Sequence, residues 1–468
     1  MLLLRPYQEL MITDCSNAFR SVRRALAVAP TGAGKTVIFS EVTRRTRAKG
    51  KRIVLMAHRI EIVEQISKSL HKLGVTHGWV APGKPARDER VMVAMVQSLA
   101  RRLDQISEPD LLVIDEAHHA TAGGYKKIAD AWSKAYILGV TASPARTDGR
   151  GLGEVFDKMI MGPTMMELIS RGYLSGFTYL APPQQADFSG VATRAGDYAQ
   201  DQLAAVMDQR KVTGDAVAHY ARFLNGRPAI AFCSSVEHAV HVAEQFREAG
   251  WKAASVDGEM DPGERRRRIA AIGNGGMNVL TSCDIVSEGT DIPAVAGAIL
   301  LRPTQSVIVF LQQVGRVLRV KADGGKAIIL DHVGNVFRHG MPDAPREWSL
   351  AGRMKREQAP PVRQCPDCYQ AFAPAPRCPG CGHVFAVSSK PMKNIVRAGQ
   401  LAEVDEAKVK QIQVSESAGL LRAAWASKNM HQARDLFERV AKVRGHKPRW
   451  ADIQVAVWTR YHTKKAAA

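Results

Sequence analysis

A chain of 468 residues is too long for one ordinary hydrophobic core, which predicts two or three domains plus smaller modules. Its net charge of +20 points to a polyanionic partner, nucleic acid foremost, with general solubility as the bland alternative. No apolar run approaches the length of a membrane helix, so no membrane partner is expected.

Taken in chain order, the start "MLLLRPYQEL" does not read as a signal peptide: three leucines are too few and Arg5 interrupts them. The first half then carries strand-like runs at "ALAVAP", "KRIVLMAH", "RVMVAMVQSL", "DLLVIDEAHH" and "YILGVTASP". Amphipathic helical stretches separate them, the pattern of a parallel sheet covered on both faces. Ligand sites in such sheets lie beyond the C-terminal ends of the strands. After the first run, Ala29-Pro30-Thr31-Gly32-Ala33-Gly34-Lys35-Thr36 follows the phosphate-loop pattern GxxxxGK[ST], with Ala29 in place of the first glycine. Backbone amides and a helix N-terminus there cradle phosphates. Lys35 reaches the terminal phosphates and the Thr36 hydroxyl suits Mg²⁺. In "LLVIDEAHH" an apolar strand ends in two acids. Asp115 suits the same Mg²⁺ and Glu116 a water-activating base.

The first unit is expected over 1–164. The next segment, Met165 to about Arg222, reads as helical and polar, with a loop around "DFSGVATRAGD". A second unit over 165–340 carries the runs "RPAIAFCSS", "KAASVDG", "MNVLTSC", "GAILLRPT" and "KAIILDHVG". Arg265 to Arg268 open a helix with Asp261 as N-cap and Pro262 at its first position. They either track phosphates or form a solvated face. Arg316 and Arg319, three apart on a helix, share a face. The first unit offers no obvious second cation for the transition state, and two arginines delivered across a cleft supply one. Residues 341–362 read as a linker wrapped over the surface, with Trp348 packing back.

Of seven cysteines, Cys15, Cys233 and Cys283 stand alone. Cys365, Cys368, Cys378 and Cys381 form CPDC, nine intervening residues and CPGCGH. Two such knuckles in tandem predict a closed, tetrahedral, structural zinc site over 363–386, with His383 a spare. Residues 390–468 form a basic helical tail with 16 Lys or Arg against 7 Asp or Glu, a net of +9. Its Trp425, Trp450 and Trp458 suit the core of a small helical unit better than a base-stacking platform.

These motifs, in this order from Leu4 to Asn335, resemble those of superfamily 2 helicases of the DEAD/DEAH-box kind. "LRPYQ", with Arg5 and Gln8, resembles the N-terminal motif that reads adenine. "MAHRIEIVEQ" resembles motif Ia and "AMVQSL" the next strand-end motif. "GVTASPAR" resembles motif III, with Ser143 where the family more often has threonine. "TSCDIVSEGTDIP" resembles motif V, with Gly289 and Asp291 in place. "QQVGRVLR" matches QxxGRxxR through Gln312, Gly315, Arg316 and Arg319. A helicase core followed by a cysteine module is similar to the RadD family of bacterial repair proteins and to phage-encoded helicases.

The resemblance implies two RecA-like lobes in tandem, an α/β fold, with ATP and Mg²⁺ between them. It assigns catalysis to Lys35, Asp115, Glu116, Gln312, Arg316 and Arg319. It places His58, Arg59, Gln97, Ser98, Ser234 and Thr281 on a nucleic-acid track, and makes His118 a coupling residue. The implied partner is DNA, single-stranded, duplex or branched, together with other replication or repair proteins. The implied setting is the cytoplasm of a bacterium or phage-infected cell. A clamp or remodeller and the motor of a restriction-type complex are the alternatives. An RNA helicase is less favoured, because motif III departs from the SAT of the DEAD-box group.

Overall fold

The apolar runs of the first half become strands because they are buried on both faces: every residue of Ile53–Ala57 is sealed from water. The computed structural model describes residues 3–146, 151–181, 193–194, 197–199, 203, 210–283, 292, 295–321, 323–351, 362–385, 424, 427, 429–444, 450–452, 454–456 and 458–459. The first lobe runs α1 (Pro6–Ala18), β1 (Arg24–Val28), α2 (Lys35–Ala48), β2 (Ile53–Ala57), α3 (Ile60–Lys72), β3 (Gly78–Val80) and β4 (Val91–Met95). It continues through α4 (Val96–Ala100), β5 (Leu111–Asp115), α5 (Gly123–Ala131), β6 (Tyr136–Thr141) and β7 (Lys158–Met161). Its seven-stranded sheet has the order β3-β4-β2-β5-β6-β1-β7, all parallel. The two strands that the sequence pattern does not show, β3 and β7, are the edges. β3 is only three residues long and β7 is mostly exposed, so neither carries a continuous apolar run.

The second lobe contains α6 (Met165–Ser170), β8 (Phe177–Leu180), β9 (Thr193–Arg194), β10 (Asp197–Tyr198), α7 (Arg210–Phe223), β11 (Ala229–Phe232) and α8 (Val236–Glu248). It continues with β12 (Ala253–Val256), α9 (Pro262–Gly273), β13 (Val279–Ser282), β14 (Gly297–Leu300), α10 (Val307–Val317), β15 (Ala327–Asp331) and α11 (Asn335–His339). Its parallel sheet has the order β12-β13-β11-β14-β15-β8. All five strand runs read from the sequence are present. The segment from Met165 to Arg222, expected to be helical with a loop, does contain α6 and most of α7, and it also supplies the edge strand β8 and the small antiparallel pair β9–β10. Four residues of mixed character give little periodic signal, and β8 finds its partner β15 about 150 residues away. Tyr179 on β8 donates to Asp331 Oδ2 at 2.8 Å, and the Val333 and Val336 amides donate to the same carboxylate.

The linker does pack back. The Gly153 amide donates to the Leu350 carbonyl at 2.8 Å, Leu350 joins the first lobe's core, and Trp348 lines a cavity of about 90 Å³ together with Pro30, Thr31 and Leu311. Arg346 secures this strap by donating to the carbonyls of His339, Met341, Pro342 and Ala344. The cysteine module contributes β16 (Arg363–Gln364) and β17 (Ala371–Phe372). It sits at the open edge of the second sheet. The Ala181 amide donates to Tyr369, Leu180 bridges to Gln370, and Gln364 Nε2 donates to Ala181. Covering an unpaired edge in this way removes a template for unwanted pairing.

Residues 388–468 form a separate compact unit. Its helix α12 (Met430–Arg444) is capped by Asn429, whose Oδ1 accepts the His431 amide at 2.8 Å. Phe437, Ala441, Val455 and Trp458 are buried together, with Trp450 set edge-on to Phe437. Trp450 and Trp458 are thus core residues, while Trp425 lies outside the described residues. No described helix is long and apolar enough to cross a membrane.

His332, just after β15, is a buried imidazole stacked on His219 at 5.1 Å. Burial, with the nearby His219, pulls its pKa from 6.5 down to about 3. The folded protein keeps it neutral while the unfolded chain protonates it below about pH 6.5, so this site withdraws stability as pH falls from there toward 3. His332→Asn should therefore flatten the acid limb of stability by about 1.4 kcal/mol per pH unit below pH 6. Denaturant unfolding of both proteins at pH 7 and pH 5 measures the difference.

Candidate active site

The phosphate loop joins β1 to α2, and its shape depends on Gly34. That residue takes φ +80°, and a Cβ there would stand 2.6 Å from Gln8 Nε2. The side chain that would be excluded belongs to the motif expected to read adenine. Gln8 Nε2 donates to the Ala33 carbonyl at 3.2 Å, and the Tyr7 hydroxyl donates to the same oxygen at 2.7 Å. Arg5 donates to the Tyr7 hydroxyl at 3.2 Å. Helix α1 is also held to α2 by Arg45, which bonds Glu9 and Glu41 at 2.8 Å each. Tyr7 and this ion network were missed in the sequence, though Tyr7 adjoins Gln8 in "RPYQ".

Lys35 and Thr36 open α2. Opposite them Asp115 ends β5, with β6 between β5 and β1 in the sheet. Burial and the charge of Glu116 push the Asp115 carboxyl up to about 7, against the pull of Lys35. A carboxylate so poorly solvated gains most from a divalent cation, so Thr36 and Asp115 fit a Mg²⁺ site. Glu116 adopts a left-handed backbone, φ 49° and ψ 54°, unusual for a residue with a side chain. Its Oε2 lies 3.3 Å from His118 Nδ1, and that nitrogen lies 3.3 Å from the Thr141 hydroxyl. Thr141 Oγ1 in turn donates to the Ser143 carbonyl at 3.0 Å. Glu116 is therefore linked to "TAS" at the end of β6 through His118.

Across the cleft, α10 approaches the loop at Gly315 and carries Gln312 and Arg316, both buried. A Cβ on Gly315 would stand 2.6 Å from Thr31 Cβ, so only glycine permits this approach. Arg319 Nη1 donates to the Ile292 carbonyl at 2.8 Å. The two arginines do not share a helical face as expected: α10 ends at Val317, so Arg316 adjoins the helix–loop contact while Arg319 lies beyond the helix and holds the segment after β13. Gly289 and Asp291 lie outside the described residues. A second tie joins the lobes where Arg265 of α9 pairs with Glu61 of α3. Asp261 caps α9 as its spacing predicts, and Arg267 and Arg268 both pair with Glu264.

The residues assigned to nucleic acid divide into two settings. His58 and Gln97 share one rim of the first lobe, Gln97 Nε2 donating to the His58 carbonyl at 3.4 Å. Arg59 caps α3 beside them and Ser98 lies buried in α4. Ser234 and Thr281 are buried in the second lobe. Ser234 Oγ lies 2.8 Å from His238 Nδ1, and Thr281 Oγ1 donates to Ala239 at 2.6 Å.

In the cysteine module the four sulfurs lie within 4.8 Å of one another, with Cys365–Cys381 and Cys368–Cys378 at 3.5 Å. A tetrahedron with Zn–S bonds of about 2.3 Å has edges of about 3.8 Å, so the four suit zinc. Against the upward push of burial, the Cys381 and Gly380 amides bring the Cys378 thiol down to about 7, which favours a thiolate ligand. His383 is engaged with Asp367 at 2.6 Å.

Residues 1–146 match the family model described as type III restriction enzyme, res subunit, and residues 215–321 match the helicase conserved C-terminal domain. A 51.5 kDa protein of a Lactococcus phage is 33% identical over 404 residues, covering 85% of this chain and 86% of that one. The chain belongs to the superfamily 2 helicases. The Saccharomyces cerevisiae protein named "Putative ATP-dependent helicase IRC3" is 29% identical to this helicase-family chain over 356 residues, 71% of the chain but only 51% of the yeast protein. Among solved structures, a fragment of a "putative HsdR subunit of a type I restriction enzyme" from Vibrio vulnificus YJ016 superposes with a TM-score of 0.59 at 20% identity. It covers 73% of this chain and 67% of that one. The type ISP restriction-modification enzyme LlaBIII, bound to DNA, gives 0.54 at 16% identity, covering 71% and 28%. Both show the shared fold. Family membership makes this helicase an ATP hydrolase that uses Mg²⁺.

The Gly315–Thr31 approach predicts that Gly315→Ala forces α10 away from the loop. ATP turnover should fall by about 10²-fold, the scale for a small displacement of catalytic groups, while the thermal melt stays close to wild type. Steady-state ATPase assays and a melting curve on the same preparation check both parts. In the cysteine module, wild-type protein should carry one zinc per chain. Cys365→Ser should lose it and unfold that module, since so short a segment has almost no core and the metal supplies about 10–16 kcal/mol of folding energy. Metal analysis of both proteins reads this out.

Proposed function

We propose that this helicase couples ATP hydrolysis in the cleft between its lobes to movement along, or unwinding of, DNA. The observation that carries the reading is Gly315 lying on Thr31. The hydrolytic site is built from two lobes, so completing it requires closure, and closure followed by opening is a stroke. Loop amides and Lys35 hold the phosphates. Mg²⁺, when bound at Thr36 and Asp115, neutralises charge on the phosphate oxygens. A Glu116 carboxylate oxygen takes the proton of the water that attacks the γ-phosphorus, and Arg316 offsets the charge that develops as the bond to the bridging oxygen breaks. ADP and phosphate leave when the lobes part.

The net charge of +20 supports a nucleic-acid track. The path proposed for it passes His58, Arg59, Gln97 and Ser98 on the first lobe and the Ser234 and Thr281 region on the second. Gly289 and Asp291 complete the nucleotide side, and the tail and zinc module add grip. The setting we propose is the cytoplasm of a bacterium or phage-infected cell, alongside replication or repair proteins. The match of residues 1–146 to a restriction-enzyme subunit favours a second reading, a motor that serves a nuclease partner.

ATPase rates across single-stranded, duplex and forked DNA and RNA test the proposal, together with strand displacement. DNA should stimulate turnover more than RNA, and Arg316→Ala should lower it by about 10³-fold with ATP binding retained. Stimulation by RNA alone would overturn the DNA reading. Translocation without strand separation would favour the restriction-type motor.

A further inference from the structure

Three consecutive residues between α6 and β8, Tyr173-Leu174-Ser175, touch three separate parts of the nucleotide site. The turn that presents them is set by α6. Thr164 and Glu167 form a capping box at its start, and Gly172, with φ +71°, reverses the chain at its end. The Tyr173 and Leu174 amides both donate back to the Leu168 carbonyl, at 2.8 and 3.1 Å, so the segment has little freedom. The Tyr173 ring packs on the side chains at the base end of the site: the Arg5 guanidinium lies 4.6 Å above it and the Tyr7 ring is 5.4 Å away. Leu174 is buried beneath the phosphate loop, where a Cβ on Gly32 would meet its Cδ2 at 2.7 Å. The Ser175 amide donates to the Leu318 carbonyl at 2.8 Å, and its hydroxyl donates to the Arg319 carbonyl at 3.1 Å. Those two carbonyls end the helix that carries Arg316.

We propose that Tyr173-Leu174-Ser175 is a positioning segment that ties the base pocket to the arginine helix, so that a correctly held base sets Arg316 for hydrolysis. This rests on the nucleotide reading of the cleft. Tyr173 acts through Arg5 and Tyr7, Leu174 through the Gly32 backbone, and Ser175 through the end of α10. None needs to touch the substrate. The two ends of the segment are only two residues apart, and its backbone is pinned at Leu168 and Leu318. A shift of the Tyr173 ring is therefore passed on as a shift of the Ser175 backbone. The segment leads into the second lobe, so it senses the base on one lobe and places the arginines of the other.

The test uses the full chain and compares ATP with GTP, whose base offers Gln8 the wrong hydrogen-bonding edge. With GTP, wild type should show a lower kcat as well as a higher KM, because a misread base misplaces the arginines. Ser175→Ala removes one hydrogen bond and should lower kcat with ATP about fivefold at nearly unchanged KM. It should also shrink the kcat difference between ATP and GTP. Tyr173→Ala should raise KM for ATP and erode the preference over GTP, and Tyr173→Phe, which keeps the ring, should recover most of both. A purely structural segment predicts a lowered melting temperature with kcat and KM reduced alike for both nucleotides. That result, or an ATP-to-GTP kcat ratio identical in wild type and Ser175→Ala, overturns the proposal. Wild-type protein inert with both nucleotides would instead overturn the nucleotide reading beneath it.

Discussion

The contact between Gly315 and Thr31 constrains the whole active site, because it forces two independently folded sheets to present one surface to each other. The phosphate loop can cradle an anion by itself, and α10 can present cations by itself. In this structure the backbone of one meets the side chain of the other. Glycine is required because there is no space for a Cβ. Further lobe-to-lobe contacts, among them Arg265 with Glu61 and the strap ending at Leu350, also join the two lobes.

Electrostatics explains why such a site waits for its ligands. Asp115 is sealed at the end of β5, and burial together with Glu116 raises its pKa to about 7. The cost of an unneutralised carboxylate there is the physical reason for a divalent cation, and Lys35 alone does not offset it. Glu116, His118, Thr141 and Ser143 form one continuous line of contacts to the end of the neighbouring strand. The rim at His58 and Gln97 is on the same lobe. The phosphate loop and this rim thus share one sheet as their frame.

The accessory parts solve a different problem. The second sheet ends in β8, whose outer edge is open, and the cysteine module seals it through Tyr369, Gln370 and Gln364. A module with so few apolar residues needs a metal to hold its shape, and four sulfurs within 4.8 Å provide for one. The C-terminal unit uses Trp458 in its own core, with Trp450 packed against it.

The sequence by itself determined the two parallel sheets, the phosphate loop, the acid pair, the arginine helix and the cysteine knuckles. Each of these is written locally. A buried central strand needs a continuous apolar run, a phosphate needs small residues before a helix, and a zinc knuckle needs cysteines two residues apart. The edge strands β3, β7 and β8 escaped because strands of three or four residues carry no such pattern. Only the tertiary structure decided that Tyr7 and Gln8 share the Ala33 carbonyl, that Arg265 reaches Glu61, that Ser234 and Thr281 point their hydroxyls inward, and that Tyr173 to Ser175 join base, loop and arginines. Apart from Ser234 with His238, four positions on, these contacts link residues some 25 to 200 positions apart. They depend on how the elements pack, and no local periodicity records which side chains packing will bring together.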